Sequence, residues 1–310
     1  MVRRVTRQQH EVVIAVIGVT GAGKTTFVCK ATGRDDLQIG HGIDSCTQEV
    51  TPVSININGQ QVTLIDTPGF DDSERSDTDI LDQVAQYMTE TFQRGVLLTG
   101  IIFLQPINQP RLQGSEMRRT RLFKKLLGED AYKRVVIATT MWSDIPEAEA
   151  RFRQEERKSR HDVWGDMVSA GAKVVRHDDT QESARNIIQT LATFDTPVEL
   201  QIQRELLANG GKTILTSAGK QLNADLHQEM SKMTREIENL KREIEQMQRE
   251  KENTALEMRE LEERERRLRD NKEQQKKLEE SNVHMILNAA ATVLPPIAVA
   301  LARHASCVIL

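Results

Sequence analysis

Aromatic residues are scarce in this chain, with 2 Trp, 2 Tyr and 7 Phe among 310 residues, and residues 221–282 contain none. That stretch is packed instead with Glu, Lys, Arg and Gln, and it reads as a charged helix rather than a second globular domain. Cysteine is equally sparse: Cys29, Cys46 and Cys307 show no metal-like spacing. Three such thiols exclude a disulfide scaffold and suit a reducing compartment. The N-terminal residues MVRRVTRQQHE carry charge but no apolar core, which excludes a secretory signal peptide. A formal net charge of −4 gives no reason to expect a general nucleic-acid binder. Nor does any His–Cys, Ser–His–Asp or metalloprotease arrangement occur along the chain.

What is present divides the chain into five parts. Residues 1–10 are a flexible N-terminus. Residues 11–205 mix apolar runs with Gly and Pro and form the globular domain, 206–220 a linker, 221–282 a coiled coil, and 283–310 an apolar tail. Within 11–205, strand-like and helix-like segments alternate, so the expected architecture is α/β with a mainly parallel sheet. Asn58-Gly59 marks a hairpin that places one antiparallel strand at its edge.

The β-branched run Val12–Ile17 leads directly into Gly18-Val19-Thr20-Gly21-Ala22-Gly23-Lys24-Thr25, followed by a helix-compatible segment beginning at Thr26. Strand, G-x-x-x-x-G-K-[ST] and helix in that order form a phosphate-binding loop. Its glycines let backbone N–H groups point inward at phosphate oxygens, and the helix N-terminus adds partial positive charge. Lys24 would reach the β- and γ-phosphates, and Thr25 would offer a hydroxyl to Mg²⁺. A second strand, Val62–Ile65, ends at Asp66-Thr67-Pro68-Gly69. An acid at the end of a hydrophobic strand about forty residues after the loop lysine is placed to hold Mg²⁺, and Gly69 to offer an N–H to the γ-phosphate.

The set GVTGAGKTT, SCTQEV and DTPGFDD resembles the septin-like branch of G proteins, which includes the immunity-associated GTPases of the GIMAP family, and more narrowly a group of fungal G-domain proteins. The resemblance covers roughly residues 11–200. It implies a Ras-like P-loop three-layer sandwich binding GTP or GDP with Mg²⁺, and it makes Thr47 the switch I threonine that joins the metal and the catalytic set. Phe70 stands where Ras-type proteins carry the water-orienting glutamine, so hydrolysis is expected to be slow.

Base recognition departs from the usual [NT]-K-x-D. The strand Arg134–Thr139 ends in Thr140-Met141-Trp142-Ser143-Asp144. Thr140 fits the first position, Met141 replaces the lysine, and Ser143 occupies the aspartate position. Asp144, one residue late, either reaches guanine across a bulged loop or caps a helix before Ile145-Pro146. Met141 or Trp142 could pack on the base. His177 and Asp178, after the next strand, could border it. GTP preference therefore rests on the resemblance, and ATP hydrolysis stays open. Arg151–Arg160 reads as a solvated helical face.

Residues 226–268 repeat at spacings of three and four. Met230, Ile237 and Ile244 occupy one heptad position and Leu226, Met233, Leu240, Met247 and Leu261 the other. Ile at a with Leu at d favours a parallel homodimer over a single helix or a helix packed on the globular domain. The final Cys307-Val308-Ile309-Leu310 has the form of a prenylation signal. The apolar stretch 283–301, broken by Pro295-Pro296, would be a second, shallow membrane anchor on the cytosolic face. Two kinds of function follow: a membrane-associated, slowly hydrolysing switch or assembly scaffold with unknown effectors, or a coiled-coil tether whose nucleotide domain scarcely turns over.

Overall fold

A computed structural model describes residues 12–34, 51–67, 76–93, 96–109, 114–194, 196–249 and 254–283. Thr47, Gly69, Phe70, Cys307 and residues 284–310 lie outside the described residues. Six strands form one sheet: β1 (Val12–Gly18), β2 (Thr51–Ile57), β3 (Gln60–Asp66), β4 (Gly100–Pro106), β5 (Val135–Thr140) and β6 (Lys173–Arg176). Their order is β2-β3-β1-β4-β5-β6, and only the edge pair β2·β3 is antiparallel. Asn58 and Gly59, at φ 52° and 84°, make the two-residue turn between those strands. Positive φ at both central residues is what a type I′ turn requires, and Asn-Gly meets it at low cost.

Around the sheet run α1 (Lys24–Thr32), α2 (Asp77–Gln93), α3 (Gly114–Leu127), α4 (Glu147–Ser159), α5 (Asp166–Ser169), α6 (Gln181–Ala192) and α7 (Gln201–Ala208). Every residue of β1 is buried, and its alternation feeds two cores. Ile14 and Val16 face Phe27, Val28 and Ile188 of α1 and α6, while Val13, Ala15 and Ile17 face the cluster with Leu81, Val84 and Leu126 of α2 and α3. A strand covered on both sides has no polar face, which is why it reads as a continuous apolar run. Gly128, at φ 79°, ends α3 with its N–H on the Lys124 carbonyl at 2.9 Å, a backbone conformation that glycine adopts without strain.

The arginine-rich α4 is not simply a solvated face. Arg157 is 1% exposed and pairs with Glu116 of α3 at 2.9 Å, and Arg153 donates to the Ile107 carbonyl at 3.1 Å. Both guanidinium groups are buried because their forks reach α3 and the loop after β4. Composition alone does not reveal such a tertiary partner.

Beyond α6 the chain also differs from the sequence reading. The region 206–220 is ordered: α7 continues to Ala208, Gly210 and Gly211 turn at φ 63° and 84°, and α8 (Ser217–Arg249) begins soon after. The single helix expected over 221–282 is instead two, α8 and α9 (Ala255–Glu280), folded back antiparallel. Asn223 meets Gln275 at 3.1 Å, Glu236 meets Arg264 at 2.8 Å, and Lys241 meets Glu265 at 2.7 Å. Met230, Ile237, Leu240 and Ile244, the seam expected to meet a second copy, are buried within one chain. Heptad spacing fixes which face is apolar but not which helix covers it.

The base of this hairpin belongs to the globular core. Leu222, Leu226 and Leu278 join the cluster formed by α2 and α3. Around them lie polar contacts: Arg118 to Glu229 at 2.6 Å, Arg121 to Asp225 at 3.3 Å, Lys277 to Asp79 at 3.5 Å, and Thr78 Oγ1 to the Gln274 carbonyl at 3.2 Å. After α9 the Val283 N–H bonds the Gly211 carbonyl at 2.7 Å, and Asn282 bridges Lys212. The chain has thus returned to the globular domain where the apolar tail begins. Among the described residues no helix is long and apolar enough to cross a membrane.

Candidate functional site

The site lies at the carboxyl ends of β1 and β3, where open α/β sheets place their ligands. β1 delivers the chain into the loop Gly18–Gly23, and Gly21 and Gly23 stand at φ 76° and 88°, in the left-handed region where L side chains are strained. Gly18 is constrained differently: a Cβ there would approach the Leu104 carbonyl oxygen of β4 at 2.7 Å. The Ala22 N–H closes the loop on the Val19 carbonyl at 3.1 Å, and Gly23 leads into α1. Thr20, Gly21, Ala22, Gly23, Lys24, Thr25 and Thr26 therefore follow one turn into a helix N-terminus, whose partial positive charge favours an anion.

Lys24 is 7% exposed, and its Nζ donates to the Val19 carbonyl at 3.0 Å, holding the ammonium over the loop. Thr25 Oγ1 donates to Asp66 Oδ2 at 3.0 Å. Asp66 is 5% exposed at the end of β3, one strand away from the loop. A buried carboxylate beside a hydroxyl supplies hard oxygen donors, the chemistry that suits Mg²⁺. Among the described residues no cluster of three or more His, Cys, Asp or Glu forms a different metal site. Thr67 Oγ1 anchors on the Val16 carbonyl at 2.8 Å, fixing the start of the segment that leads to Gly69.

On the far side of the loop, Thr140 Oγ1 donates to the Ala22 carbonyl at 3.1 Å and ties the end of β5 to the phosphate loop. Met141 adopts φ 62°, and its Cε lies 3.9 Å from where a Gly23 Cβ would stand, so it leans over the loop as the sequence position of the missing lysine suggests. Trp142 turns inward: its Nε1 donates to the Thr139 carbonyl at 3.0 Å, and Arg176 stacks on the ring at 4.6 Å. It is 7% exposed and serves the core rather than offering a face to a base.

Asp144 is not the helix cap that the sequence allows. Its Oδ2 accepts from Asn108 Nδ2 at 2.8 Å, on the β4 side, and Oδ1 accepts from Ser143 at 3.3 Å. The N-cap position of α4 is Pro146, with no side-chain cap. Asn108 has no local sequence signal, because the two residues meet only through the fold. His177, by contrast, lies at the end of β6, with its N–H on the Thr139 carbonyl at 2.9 Å and its ring edge-on to Phe27 of α1 at 5.0 Å.

Residues 13–140 match the family described as 50S ribosome-binding GTPase. A curated relative, GTP-binding protein A of Dictyostelium discoideum, is 27% identical over 137 residues, which cover 44% of this chain and 29% of that protein. The match thus spans less than a third of that relative's length. Among solved structures, Toc33 from Arabidopsis thaliana in complex with GDP and Mg²⁺ superposes with a TM-score of 0.50 at 13% identity, covering 61% of this chain and 86% of that one. Its complex with Mg²⁺ and GMPPNP gives the same score at 13% identity, covering 61% and 87%. These likenesses establish the Ras-like P-loop GTPase fold.

Proposed function

On a chain whose residues 13–140 form a P-loop GTPase G domain, we propose that the site binds GTP and GDP with Mg²⁺ and hydrolyses GTP slowly. The observation that carries this reading is the contact between Thr25 and Asp66 beside Lys24 and the loop Gly18–Gly23. When bound, the metal neutralises phosphate charge. The backbone N–H groups of the loop orient the phosphates, Lys24 supplies a fixed positive charge, and Thr25 and Asp66 supply oxygen donors. Thr47 and Gly69 complete the set in this proposal. Slow turnover follows from Phe70, whose ring cannot orient water by hydrogen bonding. Identification of the nucleotide that copurifies with the full chain, with turnover measured at rising protein concentration, tests the reading. A rate that climbs with concentration supports assistance from a second protomer.

The fold shapes the rest of the proposal. The Ile237–Leu240–Ile244 seam is occupied by α9, so a second copy binding there would have to displace that helix. Association with the cytosolic face of a membrane, through a lipid on Cys307 and the apolar tail, stays part of the proposal. Because residues 282–283 pair with 211–212, such an anchor would hold the G domain close to the bilayer rather than at the end of a stalk. The hairpin is then a free arm for a switch or scaffold partner. An ATPase reading has one observation in its favour: Ser143 in place of the base-reading carboxylate.

A further inference from the structure

Val283, the last of the described residues, is 5% exposed and packs into the cluster that α2 and α3 build. Asn282 pairs antiparallel with Lys212, and the Val283 N–H bonds the Gly211 carbonyl at 2.7 Å. The approach is so close that a Cβ at Gly211 would collide with the Val283 carbonyl oxygen. An antiparallel strand passes its partners in reverse order, so the chain leaves Val283 heading past Gly210 towards the last turn of α7. Gly211 is itself folded back on that turn, with its N–H on the Leu206 carbonyl at 2.9 Å. In helix ends closed by such a bond, an apolar side chain at the Gly211 position commonly covers the last turn. Glycine has no side chain to do so.

That end of α7 exposes apolar surface. Leu207 is 40% exposed and Leu215 43%, and Asn209, between them in the chain, donates to the Leu215 carbonyl at 3.5 Å. The other large apolar side chains exposed among the described residues are Phe152 on α4 and Leu256 and Met258 at the start of α9, the end remote from Val283. Single exposed leucines are ordinary on a protein surface. These two flank the point from which an apolar stretch departs: His284-Met285-Ile286-Leu287 comes next, and the run continues to residue 301. Packing the stretch on the leucines removes apolar surface of both from water.

We infer that the carboxyl end of α7, at Leu207 and Leu215, is the docking surface for the chain's own apolar segment, beginning with Met285, Ile286 and Leu287. Direction and tethering set the occupant. The segment starts one residue beyond a backbone bond to Gly211, so its effective concentration at this surface exceeds that of a separate partner. The inference is independent of the nucleotide reading and bears on the membrane one. A bilayer would take up the same side chains, so insertion must first lift the segment from α7. Docking and membrane binding therefore compete.

The test is hydrogen exchange read by mass spectrometry on the full chain without lipid, native and with Leu207→Glu and Leu215→Glu together. Amides of 284–287 in the native chain are expected to exchange about tenfold or more below the unstructured rate, and in the variant to speed up by about tenfold. Peptides from β1 and α2 should be unchanged, which shows that the variant is folded. Leu207→Ser with Leu215→Ser, a milder pair, should act in the same direction and stands in if the glutamates disturb those peptides. The second arm is sedimentation with neutral phosphatidylcholine vesicles, to which the variant should bind about threefold or more better than the native chain. Unprotected 284–287 amides in the native chain, or protection that neither variant alters, would overturn the inference. So would protection that grows with protein concentration, as a second copy would give. Weaker vesicle binding by the variant, the result if the two leucines enter the bilayer themselves, would overturn it as well. If neither chain binds vesicles, the exchange result decides.

Discussion

Thr25 and Asp66 lie 41 residues apart in the chain, yet the Thr25 hydroxyl meets the Asp66 carboxylate at 3.0 Å. The parallel pairing of β1 with β3 brings them together, since Val16 sits beside Asp66 in the register. Thr25→Ala and Asp66→Asn should each weaken nucleotide affinity about tenfold in Mg²⁺ and much less in excess chelator, because hydrogen bonds and ligation to charged groups contribute about 1.5–3 kcal/mol. Titration of each variant with GDP under both conditions checks this. Equal losses with and without metal would point to loop collapse instead.

Arg157 and Glu116 form the most deeply buried ion pair among the described residues, at 1% and 7% side-chain exposure. Removing one partner strands the other charge away from water. Glu116→Ala should therefore lower the unfolding free energy by about 3–5 kcal/mol. Replacing both with apolar residues of similar volume should recover much of that loss. Chemical denaturation of the single and double variants decides, and a loss below about 1 kcal/mol for Glu116→Ala would contradict the described packing.

The folding back of α8 and α9 predicts a connectivity. Cysteines replacing Asn223 and Gln275, whose side chains meet at 3.1 Å, should be joined within one chain by a short bismaleimide crosslinker. Denaturing electrophoresis and peptide mapping read this out. A crosslink joining two chains would favour the parallel dimer coil. At the hairpin base, Leu278 is fully buried, so Leu278→Ala should cost about 2–5 kcal/mol. Each surrounding ion pair, partly exposed, should contribute about 1 kcal/mol or less.

Asp82 of α2 contributes a pH dependence. Its pKa is raised chiefly by burial, against the lowering effect of hydrogen bonds from Ser281 and Thr213. A carboxyl group whose folded pKa exceeds its unfolded value binds its proton more tightly when folded. Its contribution is fully present below the unfolded value near 3.8 and is lost as pH rises through the folded one. Asp82→Asn should therefore be more stable than the native chain at pH 7 and should lose that advantage towards pH 3. Thermal unfolding across this range tests the sign, and a native chain more stable than Asp82→Asn at pH 7 would reverse it.

What was legible in the sequence was local. Gly18–Thr25 announces its own backbone conformation, and Asn58-Gly59 its turn, because glycine and asparagine are needed where φ is positive. The alternation of β1 cannot be seen in its composition, yet its uninterrupted apolar run signals a strand covered on both sides. What was hidden is tertiary. Nothing near Asp144 in the chain names Asn108, nothing in a run of arginines says that Arg157 is buried on Glu116, and the heptads of α8 do not say that α9 returns to cover them. Nor does the sequence say that Gln203, by donating to the Met88 carbonyl at 2.8 Å, fastens α7 to α2.

Nucleotide binding itself is the most direct test of the account. Calorimetric titration of the full chain with GTP, GDP and ATP in Mg²⁺, alongside Lys24→Ala, compares the site with and without its loop cation. The account predicts binding of GTP and GDP in preference to ATP, weakened by about tenfold to a hundredfold or more in Lys24→Ala, each factor of ten being about 1.4 kcal/mol. Undiminished affinity in Lys24→Ala, or no binding of any purine nucleotide by the native chain, would contradict it.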